Sequence, residues 1–261
     1  DYTKPEVWKA MTDAMGFWVR EADIDGFRCD VAGLLPIPFW NQARAELDKI
    51  KPVFMLAEWA EPRLHERAFD MTYGWDLADV MKQVAKGKAD ARELKRVFTH
   101  PDKVLPAHAY RMRFTNNHDF NSWQGSDTEL YGPAFKTMAV LAATLPGMPL
   151  IYSGQESGLD KRLAFFEKDQ VDWKDYPLAG FYTELLKLKK DNKALWNGQY
   201  GGKLEFIDTH NDKVNAYRRV LGTNSVTVVA NVSASPQQED LGNAKGRNTM
   251  AAWTWKIDSK K

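Results

Sequence analysis

Apolar residues recur at helical spacing through much of the first 197 residues. In the first such segment Trp8, Met11 and Met15 lie three or four positions apart, and Pro5 suits a first helical turn. The same spacing predicts helices over residues 5–21, 38–50, 77–85, 91–98, 135–145 and 178–191.

Shorter apolar runs stand between these helices. They predict strands over residues 24–30, 52–58, 110–115 and 148–156, with a weaker candidate at 69–73. Strands that alternate with helices indicate a parallel sheet whose connections are crossover helices. We therefore expect an α/β architecture in this part of the chain.

The pattern changes near residue 198. Four strand-like runs follow, LEFIDT, VNAYRRV, SVTVVANVSA and TMAAWTWKI, separated by Asn, Asp, Gly and Pro turns with no helical pattern between them. They predict a small antiparallel β domain. We therefore expect two domains, residues 1–197 and residues 198–261.

The amino-acid composition limits the classes of molecule that we expect the protein to bind. Lys plus Arg number 36 and Asp plus Glu 35, so the charge balance gives no support to nucleic acid or an anionic membrane as a partner. No apolar run is long enough to span a bilayer. The single cysteine, Cys29, excludes an intrachain disulfide framework, and strand alternation turns it towards the helices as a small apolar residue.

Acidic residues follow three of the predicted strands: Asp30, Glu58 and Asp119. Arg28 stands two positions before Asp30, so both side chains point to the same side of one strand. A single acid is more often a cap or a solvated charge, but three acids at successive strand ends would be costly unless they serve chemistry. In parallel α/β barrels the active site gathers at these strand ends.

Glycoside cleavage needs two carboxyl groups in different protonation states. Arg28 would hold Asp30 ionised, as a nucleophile requires. Glu58 ends a mostly apolar strand, a setting that favours the protonated form of a general acid. The Arg28–Asp30 pair therefore makes sense as a nucleophile and its electrostatic partner.

Four blocks, DGFRCD, MLAEW, FTNNHD and GMPLIYSGQE, resemble in order four sequence regions of the α-amylase family of glycoside hydrolases. The resemblance covers about residues 1–197, and the trailing β domain is similar to the family's C-terminal sandwich. It implies a partial (β/α)8 TIM barrel, about strands 4–8, followed by a small antiparallel β-sandwich domain. It also implies retaining cleavage of α-1,4-glucosidic bonds in starch or maltodextrins through a covalent glucosyl–enzyme intermediate.

The resemblance also assigns roles to residues. Asp30 would be the nucleophile with Arg28 as its partner, Glu58 the general acid/base, and Asp119 the group that stabilises the transition state through sugar hydroxyls. His118 would bind the same ring.

Further substrate contacts are expected from two neighbours of these residues. Asn117 stands in the same block as His118, and Trp59 directly follows Glu58. Trp75 and Trp123 also lie near strand ends and could stack on glucose, with core packing about as probable for Trp75. His65 is expected at the surface.

The sequence departs from the family's pattern after Asp30. Gly33 and Leu34 stand where many α-amylases carry Lys-His. This argues against a family-type calcium site and a standard aglycone subsite, so we expect no metal and no cofactor. It favours a branch of the family that acts on maltodextrins.

The family's first region, an Asp-rich strand end that finishes in Asn-His, is absent. A complete barrel takes about 250 residues, whereas residues 1–197 precede the β domain here. We therefore expect a fragment that holds strands four to eight, is inactive alone, and takes its missing N-terminal barrel half from the parent chain.

Two other functions are compatible with this pattern. A transglycosylase or sucrose-active relative would use the same acids and differ in its acceptor site. A non-catalytic glucan-binding relative would have lost its acids, whereas all three are present here.

Overall fold

A computed structural model describes residues 1–100, 105–173, 175–241 and 248–261 of the chain. Its contacts divide the chain into two compact units, Asp1–Gly74 with Lys103–Met112, and Trp75–Asp102 with Arg113–Lys261. The units are described separately.

The first unit pairs helices with parallel strands. Its α-helices are α1, Pro5–Ala22, and α2, Ile37–Asp48. Its strands, adjacent in the order given, are β1, Gly26–Cys29; β2, Phe54–Ala57; β3, Met71–Tyr73; and β4, Tyr110–Arg113, whose last residue belongs to the second unit. The helices and parallel strands predicted for this part of the chain are confirmed.

β1 and β2 begin at an unusually close backbone approach. A Cβ atom at Gly26 would lie 2.0 Å from the carbonyl oxygen of Phe54, so only glycine fits there. Gly26 pairs with Phe54 and Arg28 with Leu56, which fixes the register that carries the functional residues.

Aromatic side chains fill much of the core of the first unit. Phe39 of α2 packs edge-on against Tyr2 and Trp8, and Trp40 packs against Phe69. The indole N–H of Trp40 donates to the carbonyl of Ala32 at 2.9 Å, which anchors the turn after β1 to the core. Cys29 is buried in the same core, as predicted.

His65 is fully buried, so its predicted surface position is wrong. Its ring nitrogens lie 3.0 Å from the carbonyl oxygen of Phe69 and 2.8 Å from the hydroxyl of Thr72. Burial lowers the pKa of His65 to about 4, since the charged form would lose hydration. Two polar partners thus allow a neutral histidine to pack in the core.

The second unit combines helices with two antiparallel sheets and one further short strand that belongs to neither sheet. Its α-helices are α3, Trp75–Ala85; α4, Ala91–Thr99; α5, Asp127–Tyr131; α6, Phe135–Thr144; and α7, Ala179–Asp191. Its strands are β5, Met148–Pro149; β6, Lys203–Ile207; β7, Val214–Leu221; β8, Asn224–Asn231; β9, Gln237–Glu239; β10, Asn248–Met250; and β11, Trp255–Lys260. One antiparallel sheet has the order β11-β8-β7-β6, and β9 pairs with β10.

The strand predicted over residues 148–156 is wrong beyond its start. The amide of Leu150 still donates to the carbonyl of Arg113 at 2.7 Å, beside the end of β4. The amide of Tyr152 then donates to the side-chain oxygen of Gln155 at 2.8 Å, and that of Gln155 to the Tyr152 carbonyl at 3.0 Å. These two bonds lie within the segment and close a turn. A strand would instead form its hydrogen bonds with a neighbouring strand.

The strand predicted over residues 249–257 is two strands, β10 and β11. Trp253 between them has a φ of 53°, in the left-handed region that breaks a strand. The side-chain amide of Asn231 donates to the Ala251 carbonyl at 2.9 Å, which stabilises the segment between the two strands. β9 and α5 had no counterpart among the predicted elements.

Two buried basic side chains of the second unit bind backbone carbonyls of other segments. Lys189 of α7 donates to the carbonyls of Gly147 and Leu195 at 2.8 and 2.6 Å. Arg219 of β7 donates to the carbonyl of Gly202 at 2.9 Å. Burial first, and the charge of Arg219 second, lower the pKa of Lys189 to about 7.

This lowered pKa predicts that the fold becomes more stable as the pH rises from about 7 towards 10. In that window the unfolded chain binds a proton on Lys189 that the folded chain does not, so the free energy of unfolding increases, by about 1–3 kcal/mol. Urea unfolding at several pH values would measure it. Lys189→Met should remove this increase of the free energy of unfolding with pH, whereas Lys190→Met, at an exposed position, should retain it. An equal increase in both variants would contradict the assignment.

Candidate active site

The first group of candidate residues stands at the carboxyl ends of β1 and β2. The pairing continues one residue past β2, since the amide of Glu58 donates to the carbonyl of Cys29, the last residue of β1, at 2.9 Å. This extension sets Glu58 beside the turn that begins at Asp30. Glu58 is buried, whereas the side chain of Asp30 is 74% exposed.

Arg28 contacts both acids. Its Nη1 donates to Asp30, the contact that strand alternation predicts, and its Nη2 lies 2.8 Å from an oxygen of Glu58. Its Nε donates to the hydroxyl of Tyr73 at 3.2 Å. Burial acts to lower the pKa of Arg28, but the hydrogen bonds with Tyr73 and Asp30 outweigh it and raise the pKa above its usual range. A permanent cation therefore stands between the two carboxyl groups.

The turn after Asp30 also holds Glu58. Val31 has a φ of 39°, a conformation that is strained for a β-branched residue. Its amide donates to the second carboxyl oxygen of Glu58 at 2.7 Å. Each oxygen of Glu58 thus has its own donor, one on Arg28 and one on the strained backbone.

Gly33 lies against the indole ring of Trp59. A Cβ atom at Gly33 would come within 2.0 Å of that ring, and Trp59 is itself packed on the core of the first unit. The indole of Trp59 therefore occupies the space that a side chain at position 33 would need. This contact gives a physical reason for the departure at Gly33.

We predict that Gly33→Ala lowers the free energy of unfolding by about 1–3 kcal/mol, because the added methyl must displace the indole. The loss should shrink when Trp59→Leu is combined with it, which a double-mutant cycle by urea unfolding would measure. Gly180→Ala is the matched control, since a Cβ atom there meets nothing within 4 Å. If Gly33→Ala lowers the free energy of unfolding by the same amount with and without Trp59→Leu, the contact is refuted.

The second group follows β4 in the second unit. Asn116 and Asn117 are buried. The Asn117 side-chain oxygen accepts from the amide of Phe120 at 2.8 Å, and the Asn116 oxygen accepts from the Asn117 amide at 3.0 Å. Asn117 therefore shapes this turn; its role in substrate binding stays a prediction. His118 and Asp119 emerge from the turn partly exposed, with the His118 Nε2 3.5 Å from a carboxyl oxygen of Asp119.

A buried acid that the motifs did not flag supports this turn. Asp127 accepts from the side-chain amides of Asn116 at 3.2 Å and Gln155 at 2.8 Å. Gln155 also donates to the hydroxyl of Thr115 at 2.8 Å. Burial raises the pKa of Asp127 to about 6, against these two hydrogen bonds, which lower it.

One local signal in the sequence could have drawn attention to Asp127. Ser126 and Glu129 form a capping box at the start of α5, in which each side chain binds the other's backbone amide. The Ser-x-x-Glu spacing predicts a helix start there, and Asp127 is its first residue. The partners of Asp127 could not be found in this way, because Asn116 and Gln155 lie 11 and 28 positions away, outside the capping motif.

Comparisons with known proteins identify the family of the chain. The family model described as Alpha amylase, catalytic domain, matches residues 1–194. Alpha-amylase MalA of Haloarcula japonica is 29% identical over 88% of this chain and 34% of its own length. The maltogenic alpha-amylase of Bacillus acidopullulyticus is 28% identical over 91% of this chain and 42% of its own length.

A solved structure gives the same result at the level of the fold. The maltogenic alpha-amylase AmyB of Thermotoga neapolitana superposes with a TM-score of 0.80 at 25% identity, covering 99% of this chain and 64% of its own. The predicted fold class, part of a (β/α)8 barrel followed by an antiparallel β domain, is confirmed.

The chain belongs to the alpha-amylase family. It spans less than half the length of the two curated relatives named above. Within the described residues no helix combines the length and apolar character that a membrane crossing requires.

Proposed function

We propose that the protein is a retaining glycoside hydrolase that cleaves α-1,4-glucosidic bonds in starch or maltodextrins. The observation that carries this proposal is the bridge of Arg28 to Asp30 and Glu58 at the ends of neighbouring strands. Family membership and relatives named as amylases support the substrate class.

Asp30 is the proposed nucleophile. Its side chain is largely exposed, so a sugar can approach, and its contact with Arg28 pairs the carboxyl group with a cation. In the first step its oxygen attacks the anomeric carbon, the glycosidic bond breaks, and a glucosyl ester forms.

Glu58 is the proposed general acid and base. In the first step its proton passes to the leaving oxygen. In the second step it takes a proton from water, the resulting hydroxide attacks the anomeric carbon, and the ester to Asp30 breaks. Donors on Arg28 and Val31 fix the orientation of the Glu58 carboxyl group.

Asp119 and His118 are the proposed ligands of the sugar hydroxyls. Their side chains are 36% and 45% exposed, so their polar atoms are open to a ligand. The side-chain oxygens of Asn116 and Asn117 accept hydrogen bonds from backbone amides and fix the turn that carries His118 and Asp119. A rigid turn lowers the entropic cost of orienting these two groups in the transition state.

The stereochemistry of the first product tests the proposal. We expect NMR of maltoheptaose hydrolysis by the complete protein to show the α-anomer first, because two displacements at one carbon retain its configuration. Asp30→Asn should lower turnover by at least about 1000-fold while the protein still binds glucan. A β-anomer, or near-normal turnover in Asp30→Asn, would contradict the retaining mechanism.

The acid role of Glu58 is tested with two leaving groups. We expect Glu58→Gln to reduce hydrolysis of maltoheptaose by about 100-fold or more, but to affect the first step on α-glucosyl fluoride much less, since fluoride leaves without a proton. Single-turnover kinetics on both substrates would measure this. Equal losses on the two substrates would refute the assignment.

A further inference from the structure

Asp127 is a buried acid that takes no direct part in the proposed reaction. The residue is 8% exposed, and among the described residues its carboxyl group forms no ion pair. Its two side-chain partners are neutral amides: Nδ2 of Asn116 lies 3.2 Å from one carboxyl oxygen, and Nε2 of Gln155 lies 2.8 Å from the other. A buried carboxylate without a cation is costly, and an asparagine of the same shape would avoid that cost. The negative charge therefore needs a reason beyond packing.

The ionised carboxylate determines how both amide groups are turned. A carboxylate only accepts hydrogen bonds, so Asn116 and Gln155 must each direct their NH2 group towards it. Their oxygens then face away from it. The Asn116 oxygen accepts from the backbone amide of Asn117 at 3.0 Å, and the Gln155 oxygen accepts from that of Tyr152 at 2.8 Å. One charge thus fixes two turns, one after β4 and one after β5.

The turn after β4 has two further bonds to the same surroundings. The NH2 group of Gln155 donates to the hydroxyl of Thr115 at 2.8 Å, and the hydroxyl of Tyr131 in α5 donates to the Thr115 carbonyl at 2.8 Å. Thr115 lies at the start of this turn, and His118 and Asp119 lie at its end. The segment that leads to these two side chains is therefore held by α5 and by the turn after β5.

The carboxyl group of Asp127 is ionised at mildly alkaline pH, although burial raises its pKa to about 6. A protonated carboxyl group would donate from one oxygen, and that oxygen would then conflict with one of the two NH2 groups. The form that only accepts hydrogen bonds, and so orders both amides, prevails at about pH 8. The role of Asp127 is therefore best measured at that pH.

We propose that Asp127 is a positioning residue for His118 and Asp119. Its ionised carboxylate sets the orientation of the Asn116 and Gln155 amides, and through them the turn from which His118 and Asp119 emerge. This inference rests on the proposed function. Because Asp127 is buried, it acts through this turn and does not touch the sugar. Displaced sugar ligands weaken binding of the transition state more than binding of the substrate, so the effect belongs in kcat rather than in KM.

Asp127→Asn is the first variant of the test. Its amide offers one oxygen and one NH2 group, so it can satisfy Asn116 or Gln155 but turns an NH2 group towards the other. We expect kcat of the complete protein on maltoheptaose at about pH 8 to fall by about tenfold, the equivalent of one hydrogen bond, with KM altered less than about threefold. A native kcat in this variant would refute the proposal.

Asp90→Asn is the matched control. Asp90 is 9% exposed and caps the N-terminus of α4, so this variant removes a similarly buried acid from another helix start in the second unit. It should leave kcat within about twofold of the native value, since Asp90 has no bond to the turn after β4. A loss of kcat equal to that of Asp127→Asn would show that any such substitution slows the enzyme, which would overturn the proposal.

Exchange of the carboxylate and the amide tests the orientation itself. Gln155→Glu alone sets two carboxylates against each other and should lower kcat at least as much as Asp127→Asn does. Together the two substitutions should restore kcat to within about threefold of the native value. The amide then at position 127 donates to the carboxylate at position 155 and keeps its oxygen for Asn116, while the Thr115 hydroxyl turns to donate. A folded double variant that is no faster than the single variants would refute the proposal.

Urea unfolding shows whether each variant is folded under the assay conditions. If Asp127→Asn alone does not fold, the double variant decides: a restored kcat supports the proposal, and a kcat that stays about tenfold low refutes it. If neither variant folds, Asp127 serves the stability of the fold and the proposal is wrong.

A measurement that needs no turnover separates this inference from the proposed function. His118→Gln identifies the ring signal of His118 in NMR spectra of the protein without glucan. We expect Asp127→Asn to shift or broaden this signal, Asp90→Asn to leave it in place, and the double variant to restore it. If the complete protein cleaves no glucan but the signal responds in this way, the proposed function fails and the positioning of the turn stands. An unaltered signal in Asp127→Asn refutes the positioning role whatever the activity.

Discussion

The guanidinium group of Arg28 is the interaction on which the first group of candidate residues depends. Two carboxyl groups at the ends of adjacent strands would repel each other when both are ionised. Arg28 donates to both, and Tyr73 binds its third nitrogen, so the side chain is fixed on every edge. The buried Glu58 carboxyl would otherwise lack a cationic partner at the end of an apolar strand.

Turns place the chemistry in both units. After β1, the strained backbone of Val31 aims an amide at Glu58. After β4, the buried amide side chains of Asn116 and Asn117 close a turn that leaves His118 and Asp119 at the surface. In each case hydrogen bonds hold the turn, and the functional side chain emerges from a rigid segment.

Core packing also shapes the site. Trp40 links the core of α2 to the turn after β1 through the Ala32 carbonyl. Trp59 occupies the space beside Gly33 and packs on the same core. Both indoles pack on the core of the first unit, whereas Trp123 in the second unit is exposed; the contact of Trp59 with substrate stays a prediction.

The sequence by itself determined the alternation of helices and strands, the burial of Cys29 and the pairing of Arg28 with Asp30, because each depends on the periodicity of neighbouring residues. It also carried the four motifs that indicate the family. Only the tertiary structure decided that Arg28 reaches Glu58, that His65 is buried, and that Asp127 supports the turn after β4. None of these contacts follows from the spacing of apolar residues, because strand register and close packing, rather than local pattern, bring the partners together.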